Sequence, residues 1–124
     1  MYTFGEMLRD KRKQMTPVAS VREMARRMEI SPAMVSDLEN GRRRPSEELC
    51  EKVAAHYGID RESVFAVAGV YGEKTERYLR WHPEATRLIR KLAALDLTEG
   101  QLMHLAEAAD ASKDGRLPLC LPSN

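Results

Sequence analysis

Little in this chain supports a disulfide scaffold, a membrane span or a catalytic centre. Two cysteines among 124 residues, Cys50 and Cys120, stand far apart without neighbours, so no disulfide framework is expected and a reducing compartment is the simpler setting. No apolar run approaches the ~20 residues needed to span a bilayer, and the amino terminus lacks a signal-peptide core. The expected location is the cytoplasm, with no membrane partner. Seven glycines and six prolines are too few for a fibrous or low-complexity chain. His56, His82 and His104 are too widely spaced to place two metal ligands on one helix face, and no phosphate-cradling Gly-rich loop or nucleophile elbow occurs. The expectation is no enzyme, no metal and no cofactor. Cys50, with no activating His or Lys beside it, reads as a small core residue.

Charge is plentiful, at 31% of residues, and unevenly spread. Residues 1–45 hold ten Lys or Arg against six Asp or Glu, a balance of +4; residues 46–69 hold two against five, −3; residues 70–124 hold eight of each. The positive segment is where a nucleic-acid binder would need to neutralise phosphates.

That segment contains the most informative stretch, Ser20 to Pro45. Ser20 followed three residues later by Glu23 is a capping-box pattern for a helix over about 21–28, with Met24, Ala25 and Met28 on its inner face. Glu29-Ile30 turns the chain. Ser31-Pro32 then opens a second helix to about Asn40, with Val35 and Leu38 inward, and Asn40-Gly41 stops it. Arg42, Arg43 and Arg44 follow. Around this pair lie a helix over about 3–15 (Phe4, Met7, Leu8 and Met15 inward), one over about 46–57 behind Ser46, and one over about 61–68 behind Asp60. Leu49, Val53, Ala54 and Tyr57 line the inner face of the fourth, and Val64, Phe65 and Val67 are expected to close the core.

Residues from about Phe4 to Val67 resemble the helix-turn-helix DNA-binding domain of the Cro/C1 repressor (Xre) family. The positions that carry the likeness are Ser20–Val21–Arg22–Glu23–Met24–Ala25, Ile30-Ser31, Val35–Ser36–Asp37–Leu38–Glu39–Asn40–Gly41 and Arg43–Arg44–Pro45–Ser46. The resemblance implies an all-α fold: a five-helix lambda-repressor-like domain over residues 1–69, binding double-stranded DNA. It implies that Ala33, Ser36 and Asp37 face base edges, with Ser31, Pro32 and Met34 beside them. It implies phosphate contacts from Ser20, Arg22, Asn40, Arg42, Arg43 and Arg44, and a buried ion pair between Arg12 and Glu39. For Asp37, for the three arginines and for the Arg12–Glu39 pair the other reading is solvated surface charge.

Two departures from the family stand out. The phosphate-touching glutamine that often opens the second helix is Val21 here. The turn glycine is Glu29, and a non-glycine residue in the left-handed region costs on the order of 1 kcal/mol, so a differently shaped turn is expected.

Beyond Gly69–Gly72 the resemblance fades. A short helix from Glu73, a helix over about 83–95 and a last one opened by the Thr98/Gln101 capping box give a helical hairpin extension over residues 70–111. Leu88, Ile89, Leu92, Leu95, Leu102 and Leu105 supply its apolar stripe. Helices this short cannot bury enough surface alone, and two-fold operators are read by dimers, so the stripe is expected to form a homodimer interface; the other reading is that it extends the monomer's core. Residues 112–124 are expected to be a flexible or extended tail. The function these features point to is a dimeric repressor binding an inverted-repeat operator through the helix at 32–40. The alternative is an antitoxin-like or adaptor module whose carboxy-terminal helices bind another protein.

Overall fold

The computed structural model describes residues 2–112; the expected tail, Cys120 included, lies outside the described residues except for Ser112. Among the described residues there are eight α-helices and no strand: α1 (Phe4–Gln14), α2 (Val21–Met28), α3 (Pro32–Glu39), α4 (Glu47–Tyr57), α5 (Arg61–Ala68), α6 (Glu73–Trp81), α7 (Pro83–Leu95) and α8 (Glu99–Ala111).

Local chemistry sets the helix starts. Thr3, Ser20, Ser31, Ser46, Asp60 and Thr98 each accept a hydrogen bond from the backbone N–H three residues on, at 3.0–3.2 Å. Each such cap is worth about 1 kcal/mol. Around Thr98 the box is complete, since Gln101 Oε1 accepts from the Thr98 N–H at 2.9 Å. Around Ser20 only half of it forms. The Glu23 carboxylate turns to Arg26 and Arg27 instead, because two guanidinium charges at i+3 and i+4 outcompete one neutral amide. Those hydrogen bonds hold the Glu23 carboxyl below its usual range. Ser46 likewise caps alone, since Leu49 offers no acceptor.

The turn between α2 and α3 keeps the left-handed conformation despite lacking glycine: Glu29 sits at φ 57°, ψ 43°. The expected change of shape does not occur, and the residue carries the strain. Its N–H, bonded to the Arg26 carbonyl at 3.2 Å, and the Ile30 N–H, bonded to Ala25 at 3.0 Å, close the turn and fix it. Lys52 Nζ donates to the Met28 carbonyl at 3.1 Å, satisfying another group at the same helix end.

The described residues divide into two compact units, the first through Tyr78 and the second from Leu79. In the first, α1 to α5 surround one core in which Leu8, Met24, Met28, Val35, Leu38, Val53 and Val64 are fully buried. At ~1.5–3 kcal/mol for each large side chain, this burial outweighs all the caps together. Cys50 is part of that core, and burial pushes its thiol up. Val67, expected inside, is 38% exposed, while Met34, expected outside, packs on the core. The unit runs past Gly69 because Gly72 is buried against the Glu47 side chain and the Glu73 N–H donates to Glu47 Oε1 at 2.9 Å.

In the second unit no residue of α7 or α8 is buried. The helical extension after the first domain is present as α6 to α8. Among the described residues no helix is long and apolar enough to cross a membrane.

Candidate nucleic-acid interface

The position of α3 is set by a network at its carboxy end. Arg12 Nε and Nη2 donate to the two oxygens of Glu39 at 2.7 and 2.9 Å, a bidentate pair. Arg12 Nη1 also donates to the Ala19 carbonyl at 3.1 Å, tying in the loop before α2. The Glu39 side chain is only 4% exposed and that of Arg12 13%, so water screens little of their attraction. The hydrogen bond to Glu39 raises the guanidinium pKa further.

Arg9, on the same helix, joins the network. Its Nη2 donates to the Glu39 carbonyl at 3.3 Å and to Asn40 Oδ1 at 2.9 Å. The signal was available, since Arg9 precedes Arg12 by three residues and shares its helix face. Gly5 was also passed over. A Cβ there would stand 2.3 Å from the Glu39 carbonyl oxygen, so α1 and α3 approach backbone to backbone. Tyr57 lies buried nearby, its hydroxyl without a hydrogen-bond partner among the described residues. Burial and the Glu39 charge both raise its pKa.

The network leaves α3 with one face on the core and the other toward solvent. Ser31, Pro32 and Ala33 are exposed, and Ser36 and Asp37 are half-buried. The Ser31 hydroxyl is committed to capping α3, and Met34 leans inward. Asn40 is also committed: its Oδ1 accepts from Arg9 and its Nδ2 donates to Ser36 Oγ at 3.3 Å. Asp37 Oδ1 accepts from Arg42 Nε at 3.1 Å. Arg26 and Arg27 are taken by Glu23. Arg22, Arg43 and Arg44 are exposed and make no ion pair with any described residue, while Ser20 stands at the amino end of α2.

Elsewhere, a groove of about 590 Å³ lies between α4, α5 and the start of α6. Within its lining Arg61 bonds Glu62 and stacks on Phe65, Glu47 Oε1 accepts from the Glu73 N–H, and Lys74 has no ion pair among the described residues. Among the described residues no cluster of His, Cys, Asp or Glu is placed to hold a metal.

Two helices joined by a left-handed turn, the second presenting a polar face beside unpaired arginines, define a helix-turn-helix unit. Residues 8–64 match the helix-turn-helix family model, and the chain carries a Cro/C1-type (Xre-family) domain over that span. The domain is that of a DNA-binding transcription regulator. No curated protein and no solved structure matches the chain.

Proposed function

We propose that this chain is a dimeric repressor that binds an inverted-repeat operator, laying α3 in the major groove. The observation that carries the reading is the set of exposed arginines without acidic partners, Arg22, Arg43 and Arg44, flanking the solvent face of α3. Unpaired cations are what releases counterions from a phosphate backbone; paired ones contribute little. The amides at the amino ends of α2 and α3, behind Ser20 and Ser31, add partial positive charge for two more phosphates. Ala33 and Ser36 face the bases, where the alanine methyl meets a thymine methyl and the hydroxyl pairs with several edges.

Dimerisation is supported by the second unit. Leu88, Ile89, Leu95 and Leu105 are 55%, 40%, 62% and 41% exposed, with Leu92 and Leu102 half-buried beside them. An apolar stripe of this size on short helices needs a partner surface, and a second copy matches the two-fold symmetry of an operator.

Binding to duplex DNA as a function of salt, for the wild type and for Arg22→Ala, Arg43→Ala and Arg44→Ala, tests the grip. Each phosphate contact removed lowers the slope of log K against log salt by about 0.9; unchanged slopes in all three variants refute it. Light scattering tests the dimer. A stable monomer points instead to the adaptor reading, in which the stripe binds another protein.

A further inference from the structure

Three arginines follow α3, and the structure separates the first from the other two. Arg43 and Arg44 have no acidic partner among the described residues. Arg42 is held twice by Asp37: its Nε donates to Asp37 Oδ1 at 3.1 Å, and its backbone N–H donates to the Asp37 carbonyl at 2.8 Å. Both side chains remain reachable from solvent, Arg42 63% and Asp37 42% exposed.

This pairing has two chemical consequences. The pair carries no net charge, so it releases few counterions, and the Asp37 carboxylate would repel a phosphate brought close to it. Arg42 is thus the poorest phosphate ligand of the three arginines. The bond to Asp37 uses Nε alone, however. Nη1 and Nη2 keep their four N–H groups in the planar end-on fork that matches the O6 and N7 acceptors of guanine. A guanidinium already held by a carboxylate also loses fewer rotamers on binding.

The rest of the exposed face makes such a reader necessary. Between Ser31 and Asp37 no arginine, lysine, glutamine or asparagine projects outward. The residues that do, Ala33, Ser36 and Asp37, are short. A long donor anchored on the last of them would extend the reach of the helix.

We infer that Arg42, positioned by Asp37, reads a guanine in the major groove and does not serve as a phosphate contact. This deepens the proposed function and rests on α3 facing that groove. Asp37 is then a positioning residue, acting on the base through the guanidinium.

The test is a competition between duplexes. Binding sites are first selected from random DNA with the wild-type protein. The wild type, Arg42→Ala, Arg42→Lys, Asp37→Asn and the Asp37→Asn/Arg42→Lys double variant are then titrated against that site and its single-base changes, with circular dichroism confirming each fold. A guanine is expected at one position of each half-site. Arg42→Lys, which keeps the charge but loses the fork, should reduce discrimination at that position about 10- to 100-fold while binding other DNA as well as the wild type. Asp37→Asn should relax the same position and no other, with the double variant no worse than Arg42→Lys alone.

Guanine preference retained in Arg42→Lys overturns the inference, and so does a uniform loss across all sequences with a shallower salt slope in Arg42→Ala. A loss confined to Asp37→Asn would mean that the carboxylate reads the base directly, which also overturns it. If the wild type enriches no sequence at all, it is the underlying DNA-reading proposal that fails.

Discussion

Replacing Gly5 by alanine should destabilise the protein, although helix propensity alone gives the opposite sign. Gly5 lies in the first turn of α1, where exchanging glycine for alanine is worth up to ~1 kcal/mol in favour of the helix. The added Cβ would, however, stand 2.3 Å from the Glu39 carbonyl oxygen and 2.8 Å from that of Leu38. Ordinary contact begins near 3.4 Å, so the gap between α1 and α3 must widen locally by about 1.1 Å. The obstacles are backbone atoms at the end of α3 and cannot rotate away. The cost therefore falls at the upper end of the ~1–3 kcal/mol typical of overpacking, leaving a net loss of about 2 kcal/mol. For a domain of this size that is a fall in Tm of roughly 8–16 °C. The same shift loosens Arg9 from the Glu39 carbonyl and disturbs the lie of α3, so DNA affinity should fall as well. Gly100, with its nearest neighbouring atom at 3.9 Å, is the control: Gly100→Ala should raise helicity with no penalty. Thermal melts by circular dichroism decide. A Gly5→Ala protein that melts at or above the wild type would refute the close approach of the two helices.

Glu39→Ala leaves Arg12 buried without its carboxylate and removes two charged hydrogen bonds, so a loss of about 3–5 kcal/mol in chemical denaturation is expected. Arg12→Lys should recover little of the bidentate geometry. Tyr57→Phe should be neutral or slightly stabilising, because the hydroxyl it removes has no partner. The same variant tests linkage. Tyr57 titrates higher in the folded protein than in the unfolded chain, so its neutral form contributes stability that is whole below about pH 10 and is lost as the pH rises toward the elevated folded value. Stability above pH 10 should therefore fall more steeply in the wild type than in Tyr57→Phe. Glu29→Gly should stabilise by up to ~1 kcal/mol, since the left-handed strain it removes slightly exceeds the entropy that glycine adds to the unfolded chain; a clear loss would show that the turn needs the side chain.

Much of the fold could be read from sequence because its signals are local. Six N-caps, the stop at Asn40-Gly41 and the period of the buried residues all act within a few positions of themselves. What escaped reading involves groups far apart in the chain. Gly5 and Arg9 matter only because the end of α3 passes over them, and the commitment of Asn40 follows from Arg9. Glu23 was misassigned for a different reason: two local partners competed for one carboxylate, and a capping motif does not say which prevails. Glu29 shows the converse, a turn whose hydrogen bonds hold the backbone in a conformation its own residue disfavours. The carboxy-terminal stripe was legible as a pattern, but an apolar pattern names no partner.

Selection of binding sites from random duplex DNA at near-physiological salt tests the central claim most directly. A dimer placing one α3 in each of two successive major grooves predicts enrichment of an inverted repeat, its half-sites about 34 Å apart along the helix. Recovery of no preferred sequence by the folded protein would contradict sequence-specific regulation by this chain.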